Sequence, residues 1–257
     1  MSRTRTISSA KSVELVSTVE RAALVLSAFR KSWDFLTLSD VVEDTGLTKP
    51  TVFRILTSLV AEGLVFQNEA NNTYGLGFLN LRLADVFLSH QSLRQQALPI
   101  MQGLFEQLNE NVILSVRDGA RTYDLDILES TQVIVPSQTC GLAISLHESI
   151  AGRALLAAAS REDQAAYLKH YARKIASLPG GEKKLRQDLR QIEASGYASA
   201  AGGILLGGHT IAKTFAHGAA ALSVSFPLAR FSDELEKRVI ELLSDAVQAI
   251  ESTSEPN

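Results

Sequence analysis

The sequence predicts an α+β protein built in two parts, and three observations carry the prediction. Residues 13–77 concentrate helix-spaced apolar residues, glycine stops and a hairpin signal in a short span. Over residues 97–252 the pattern changes to strands and helices that do not alternate strictly, which suits one sheet with helices laid against it rather than a doubly wound sheet. Between them, residues 78–96 hold a linker helix that is apolar around much of its circumference.

The elements follow in order. Residues 1–12, Ser/Thr-rich with Arg3, Arg5 and Lys11, read as a disordered tail. Val19, Ala22, Ala23, Leu26 and Phe29 recur at three- and four-residue steps, a first helix that runs out at Lys31-Ser32-Trp33. Ser39 reads as the N-cap of a short helix through Val41, Val42 and Asp44. Gly46 ends it, because glycine takes the left-handed conformation beyond a helix without a Cβ penalty. Thr48 caps the next helix, with Pro50 in its first turn, where a missing N–H costs little. Val52, Ile55, Leu56, Leu59 and Val60 line one face of it, and Gly63 closes it. Leu64, Val65 and Phe66 begin a strand, Asn71-Asn72 offers a turn, and Thr73–Leu76 returns. Leu79, Leu81, Leu83, Ala84, Val86, Phe87 and Leu88 fill the linker helix, and His90 to Gln96 read as a polar link.

The second part starts with a helix over 98–109. Val112–Val116 and Tyr123–Leu128 flank Asp118-Gly119, a hairpin turn signal. Helices are expected over 149–159, 161–171, 183–195 and 232–252, with strands Thr210–Phe215 and Ala219–Ser225 joined through His217-Gly218. The glycines of Gly202–Gly208 lack the Lys-Ser/Thr that completes a phosphate loop, so the segment reads as a mobile loop.

Composition bounds the function. With 257 residues, 46% hydrophobic and 21% charged, the chain can build a substantial core. The net charge of -3 excludes a general polyanion binder, yet residues 1–94 carry a net +1 and the remainder -4. A single cysteine, Cys140, excludes an intramolecular disulfide and a cysteine-based zinc site. No apolar stretch approaches a membrane span, and the N-terminus lacks the apolar core of a secretory signal, so a cytoplasmic protein is expected. His209 and His217 have no evident third ligand, so neither a metal nor another cofactor is expected. An enzyme is disfavoured, since G-x-S-x-G, H-E-x-x-H and P-loop motifs are all missing. A redox sensor working through Cys140 is the alternative within the regulator class, although a small buried hydrophobe is the commoner role of such a cysteine.

Short helix, glycine turn, second helix and hairpin is the order of a winged helix-turn-helix. In that motif the second helix enters the major groove while the hairpin reaches the backbone or minor groove. With the apolar face turned inward, Lys49, Thr51, Phe53, Arg54, Thr57 and Ser58 are left outward or lateral. Arg54 can pair with a guanine edge or clamp a phosphate; Thr48, Lys49 and Thr51 suit phosphates, and Phe53 a thymine methyl. Ser39, Pro50 and the hairpin residues Asn72 and Tyr74 complete the expected contact surface for double-stranded operator DNA.

Several segments then resemble the IclR-type regulators. They are Thr18–Ala22, Leu38–Val41, Thr45–Leu56, Leu59–Val65 and Tyr74–Gly77, with Leu146–Ala157 and Ala221–Ser225 farther on, in correct order from about residue 13 to 250. The resemblance implies a GAF-like effector-binding domain, a homodimer or homotetramer, and control by a small-molecule effector from carbon-compound catabolism, often an aromatic or organic acid. It also implies that Ser149, Thr210, Ser223 and Ser225 meet the effector, and Ser223 and Ser225, two apart, share one side of a strand. Val133, Val135 and Cys140 are counted as lining, and His147 as facing the ligand or, more often, making a structural hydrogen bond. The sequence departs from the family at Pro50 and Phe53, where a small hydroxyl residue and a more polar one are usual. It departs again at Ala198–Gly203, which has none of the acidic residues common there. An acid-free pocket would tolerate an aromatic, largely apolar ligand or one bearing a carboxylate.

Overall fold

Glycine stops and capping groups divide the N-terminal part as its sequence suggests. In the computed structural model the described residues are 16–29, 35–89, 92–136, 138–202 and 207–254. The expected tail, the break at Lys31-Ser32-Trp33 and most of the glycine loop lie outside them. The chain divides into two units, residues 1–91 and 92–257.

The first unit runs α1 (Ser17–Leu26), β1 (Leu36–Thr37), α2 (Leu38–Thr45), α3 (Lys49–Ala61), β2 (Val65–Asn68), β3 (Thr73–Leu76) and α4 (Phe78–Ser89). Thr37, not Ser39, caps α2. Its hydroxyl accepts from the Asp40 N–H while the Asp40 carboxylate accepts from the Thr37 N–H, a reciprocal box that Ser39 has no acid placed to form. Gly46 ends α2 at φ 67°, in the left-handed region. The three strands form an antiparallel sheet in the order β1-β3-β2, and β1 is a pairing that two residues of sequence do not announce. Val25, Val41, Val52, Leu56, Leu59, Val65 and Tyr74 close one core. Helix α4 has no buried residue; Asn80 ties its start to the hairpin by donating to the Leu64 and Gly77 carbonyls at 2.6 and 2.9 Å.

The second unit continues with α5 (Ser92–Leu108), β4 (Asn111–Asp118), β5 (Arg121–Leu128), β6 (Ala143–Ser145), α6 (Ile150–Ala157), α7 (Arg161–His170), α8 (Ala172–Ala176), α9 (Gly181–Ser195), β7 (Ala198–Ala201), β8 (Gly208–Phe215), β9 (Ala220–Pro227) and α10 (Asp233–Ser254). Helix α5 starts six residues before the expected 98. Buried Ala97, Met101 and Leu104 hold it on the sheet, Arg94 pairs with Asp126 at 2.7 Å, and Pro99 lies on the exposed side, where its missing N–H is tolerated. Ser92–Gln96 is therefore helix rather than a polar link.

One antiparallel sheet, β6-β5-β4-β9-β8-β7, organises this unit. Helix α6 packs over β7, β8 and β9, and its Ala154 and Leu155 share a core with Ala212, Ala221, Leu185 and Leu189. By strand alternation Ile211, Leu222, Val224 and Phe226 face the other side, where α5 and α10 pack. Among the described residues no helix is long and apolar enough to cross a membrane.

Candidate functional site

In the first unit, burial of Val52, Ile55, Leu56 and Leu59 sets the rotation of α3. Lys49, Pro50, Phe53, Arg54, Thr57 and Ser58 are left exposed, Thr51 half-buried, and Phe53 keeps 52% of its surface. Thr48 occupies the N-cap position but makes no cap bond; its hydroxyl lies 2.8 Å from that of Thr51. The first N–H groups of a 13-residue helix thus keep their donors for another acceptor, the arrangement that suits a phosphate oxygen. The Thr57 and Ser58 hydroxyls donate to the Phe53 and Arg54 carbonyls at 2.9 and 3.0 Å, leaving their oxygens as acceptors. Asn72 stands exposed at the hairpin turn with φ 55°, and Ser39 is exposed in the first turn of α2.

Tyr74 is a correction. It is 4% exposed, packed between the hairpin and α3, so it builds the wing instead of touching DNA. Sequence reasoning missed Phe66, 41% exposed on β2 and in edge contact with Phe35 at 5.6 Å, which supplies an apolar hairpin surface beside α3. Its place in the strand beside buried Val65 is the signal, since neighbours on a strand face opposite sides.

In the second unit, polar side chains from four strands meet on the sheet face that α6 covers. Ser115, Asp124, Thr210 and Ser223 line a cavity of about 100 Å³, with Ser149 also on its lining. All four strand residues are under 9% exposed. Ser115 donates to the Asp124 carboxylate at 2.7 Å, and Thr210 donates to its cross-strand neighbour Ser225 at 3.1 Å. Ser149 caps α6, accepting from the Gly152 N–H at 2.9 Å. Burial pushes the Asp124 carboxyl up from its ordinary range, against the lowering effect of the Ser115 hydrogen bond.

Ser149, Thr210 and Ser223 are therefore brought together, while Ser225 lies one step behind them as the partner of Thr210. The other expected lining residues are not. Val133 is fully exposed and Val135 is 37% exposed, on a loop tied down by Asn109, Asn111 and Arg230, which donates to the Ile134 carbonyl while paired with Glu110. His147 is 1% exposed but turns into the core, where its Nδ1 lies 2.7 Å from the Tyr167 hydroxyl; the structural hydrogen bond is its role, and burial lowers its pKa. Cys140 is exposed, not buried. Partial desolvation first, then Asp126, Asp124 and Glu129, push its thiol up, the reverse of what a reactive sensor thiolate needs.

Asp124 and Ser115 are the residues the sequence reading missed. Asp124 also overturns the premise of an acid-free pocket, because it supplies a carboxyl from β5 where β7 supplies none. A bulge between Leu114 and Ser115 puts Asp126 opposite Leu114 and Asp124 opposite Ser115. The two acids, two apart, so fall on opposite faces: Asp126 meets Arg94 of α5 and Asp124 meets the cavity.

A second concavity of about 800 Å³ runs along edge strand β7, lined by Arg153, Lys184, Asp188 and Glu236 among others. Three of its charges already pair within it, Lys184 and Arg153 with Asp188 at 2.7 and 3.4 Å. The smaller cavity, with buried converging polar groups, has the construction of a ligand site. Of the two histidines considered for metal, His209 has its Nε2 2.9 Å from the Ser199 hydroxyl and its ring against Phe226 and Phe231, and His217 forms the turn between β8 and β9. Among the described residues no three His, Cys, Asp or Glu are grouped to hold a metal ion.

A winged helix-turn-helix followed by a separate unit with a polar-lined cavity defines a class, the DNA-binding regulator with its own sensor domain. The comparisons name the family. The "IclR helix-turn-helix domain" matches residues 18–69 and "Bacterial transcriptional regulator IclR C-terminal" matches residues 86–252, and the chain belongs to the IclR family of transcriptional regulators. The transcriptional repressor IclR of Escherichia coli is 26% identical over 253 residues, 95% of this chain and 90% of that protein. The regulator KipR of Bacillus subtilis is 29% identical over 166 residues, 63% of this chain and 65% of that protein. Among solved structures, an IclR family regulator from Brucella abortus superposes with TM-score 0.76 at 26% identity, covering 97% of this chain and 96% of that one. An IclR homologue from Microbacterium hydrocarbonoxydans, complexed with 4-hydroxybenzoate, gives TM-score 0.73 at 25% identity, covering 91% and 98%.

Proposed function

We propose that the protein is a ligand-responsive regulator that grips operator DNA through α3 and the β2–β3 wing, acts as a homodimer or homotetramer, and answers to a small catabolic metabolite held in the α6-covered cavity. The observation that carries the reading is the convergence of Ser115, Asp124, Thr210 and Ser223 inside that cavity. The Ser115–Asp124 and Thr210–Ser225 hydrogen bonds already offset part of the cost of burying these groups, and the acceptor capacity left on the Asp124 carboxylate supports a ligand there.

Contact with DNA rests on Arg54, Lys49, Phe53, Thr48, Thr51 and Thr57, with Pro50, Ser39 and Asn72 at its margins. Arg54→Ala is expected to weaken operator binding by about 1–3 kcal/mol if it reads a base edge. Mapping bound sites across the genome supplies the operator, and unchanged affinity on it removes Arg54 from the surface. Oligomerisation rests on α4, whose Phe78, Leu81, Leu83, Val86 and Phe87 are 50–91% exposed within one chain. So much exposed apolar surface on one helix needs a cover, and a second copy supplies it. A Leu83→Glu, Phe87→Glu variant that keeps its oligomeric mass in sedimentation refutes this.

For the metabolite, the relative complexed with 4-hydroxybenzoate supports a hydroxylated aromatic acid as a first class to test. A ligand works as a switch only by binding one arrangement of the regulator better than another. Titrating candidates against operator-bound protein tests for that difference.

A further inference from the structure

We propose that the cavity takes up a small carboxylate anion together with one proton, which Asp124 holds and shares with the ligand. This deepens the reading of the cavity as the effector site and rests on it.

Two parts of the lining pull in opposite directions. The start of α6 favours an anion. Ser149 caps only the Gly152 N–H, at 2.9 Å, so the N–H groups of Ile150 and Ala151, both on the lining, have no acceptor within the helix. The hydroxyl of Ser223, 2% exposed, makes no hydrogen bond among the described residues and adds a donor. Asp124 opposes the anion. It is 8% exposed, accepts from Ser115 on Oδ1, and has no donor on Oδ2 among the described residues.

In a void of about 100 Å³ a bound carboxylate lies close to Asp124. Two carboxylates sharing so buried a place do not both stay ionised; one proton between them removes the repulsion and makes a hydrogen bond. With Oδ1 held by Ser115, Oδ2 is the oxygen free to carry that proton and donate it to the ligand. The proton comes from solvent, and the ligand keeps its negative charge against the helix start.

The surrounding elements offer no substitute. Asp124 is the one titratable residue on the lining among the described residues, and β4, β6, β8 and β9 give it only Ser115, Ile144, Thr210 and Ser223. On α6, Arg153 is engaged by the His147 carbonyl and Asp188, and Glu148 ahead of the helix accepts from the Ser145 N–H. On β5, Asp126 faces away to Arg94, and His209 of β8 turns to Ser199 and Phe226. Cys140 is neutral, its thiol pushed up by partial desolvation first. The neighbours Ser137 and Gly203–Leu206 bring no titratable side chain. Burial already pushes the Asp124 carboxyl up, which eases the gain of a proton.

The test titrates propionate and benzoate, ionised throughout, into the full-length protein between about pH 7 and 8.5, with propionamide as the uncharged control. Calorimetry in two buffers of different ionisation heat counts the protons. Expected is uptake approaching one proton per anion at the alkaline end, affinity there falling toward about tenfold per pH unit, and no uptake with propionamide. Asp124→Asn, an uncharged isostere that still accepts from Ser115, should abolish the uptake, flatten the profile and bind the anions at least about tenfold more tightly at the alkaline end. Ser223→Ala should weaken the anions at every pH. If Ser223→Ala weakens binding but the anions enter without proton uptake, or Asp124→Asn binds them less tightly, the role of Asp124 is refuted while the cavity stands. Binding indifferent to both substitutions places the ligand elsewhere and overturns the cavity reading as well. Failure of both anions to bind at millimolar concentration overturns the ligand class.

Discussion

Gly152 sits where the first turn of α6 crosses the chain that leads into it, and replacing it by alanine is a sharp test of that packing. A Cβ there would lie 2.5 Å from the Leu146 carbonyl oxygen, 2.7 Å from Ser149 Oγ and 2.8 Å from Leu146 Cα. None of these can easily retreat. Leu146 is fully buried, and the His147 that follows is held through its N–H and ring by Tyr167. Overpacking against fixed backbone costs about 1–3 kcal/mol. Displacing Ser149 from the Gly152 N–H costs about 1 kcal/mol more. Alanine's better helix propensity returns about 1 kcal/mol, so the net loss is about 1–3 kcal/mol. For a unit of this size that lowers Tm by roughly 3–10 °C. Gly103 provides the opposite case. It lies within α5 with nothing inside 4 Å of an added Cβ, so Gly103→Ala should gain up to about 1 kcal/mol and raise Tm by about 2–4 °C. Calorimetry on the two variants reads both signs. An unchanged or higher Tm for Gly152→Ala would show that the Leu146–Ser149 turn yields freely, and the reasoning would fail.

Other expectations concern charge. The raised Asp124 pKa means the folded state holds its proton more tightly than the unfolded one, so this group costs stability as pH rises through and above the ordinary carboxylate range. Asp124→Asn should therefore raise Tm at pH 7, with the gain vanishing toward pH 4; a gain that grows on acidification has the wrong sign. His147 and His209 are both lowered, chiefly by burial, so their contribution is present above about pH 6.5 and is lost as pH falls through their folded values. With Asp124→Asn removing the opposing slope, Tm should drop between pH 7 and pH 5, and a flat profile contradicts it. Glu110, 3% exposed, takes two hydrogen bonds from Arg230 at 2.7 and 2.6 Å. Because Arg230 keeps solvent contact, Glu110→Ala should cost about 2 kcal/mol rather than the full penalty of a split buried pair. Faster amide exchange at Ser130 and Thr131 would report the freed loop, and unchanged exchange would refute the tether.

The first unit was largely legible because its signals are local. The Gly46 turn, the 3.6-residue apolar pattern of α3 and the Asn71-Asn72 turn each depend on a few adjacent residues. Where local signals compete the reading slipped: both Ser39 and Thr37 look like caps, and the acid three residues on decides for Thr37. Tyr74 looked like a surface residue because the extra strand β1, which pairs with β3 and helps cover it, is two residues long. In the second unit helices and hairpins were visible, but the cavity was not. Its acid faces inward through a bulge that breaks the two-residue alternation, and no rule applied along β5 alone reveals where the ladder slips. Thr210 and Ser223, which keep the alternation, were named through the family resemblance, and both lie on the cavity lining. Val133 and Val135 were misplaced because apolar residues in a loop carry no periodicity to say which way they face.

The pairing of β4 with β9, which joins Val112 to Val224 in the middle of the six-stranded sheet, has a consequence for how the chain is made. The winged unit has all its strands and the three helices of its core by Leu76, with only short-range contacts to form. The sensor's sheet cannot close until Pro227 has been synthesised. At about 5–20 residues per second, the intervening 150 or so residues take about 8–30 s. During that interval a DNA-binding head can exist on a nascent chain whose sensor is still an open half-sheet, with the β4 edge unpaired. Messages truncated before β9 would release heads of that kind: able to occupy DNA, unable to hear a signal, and prone to stick to one another through the exposed strand.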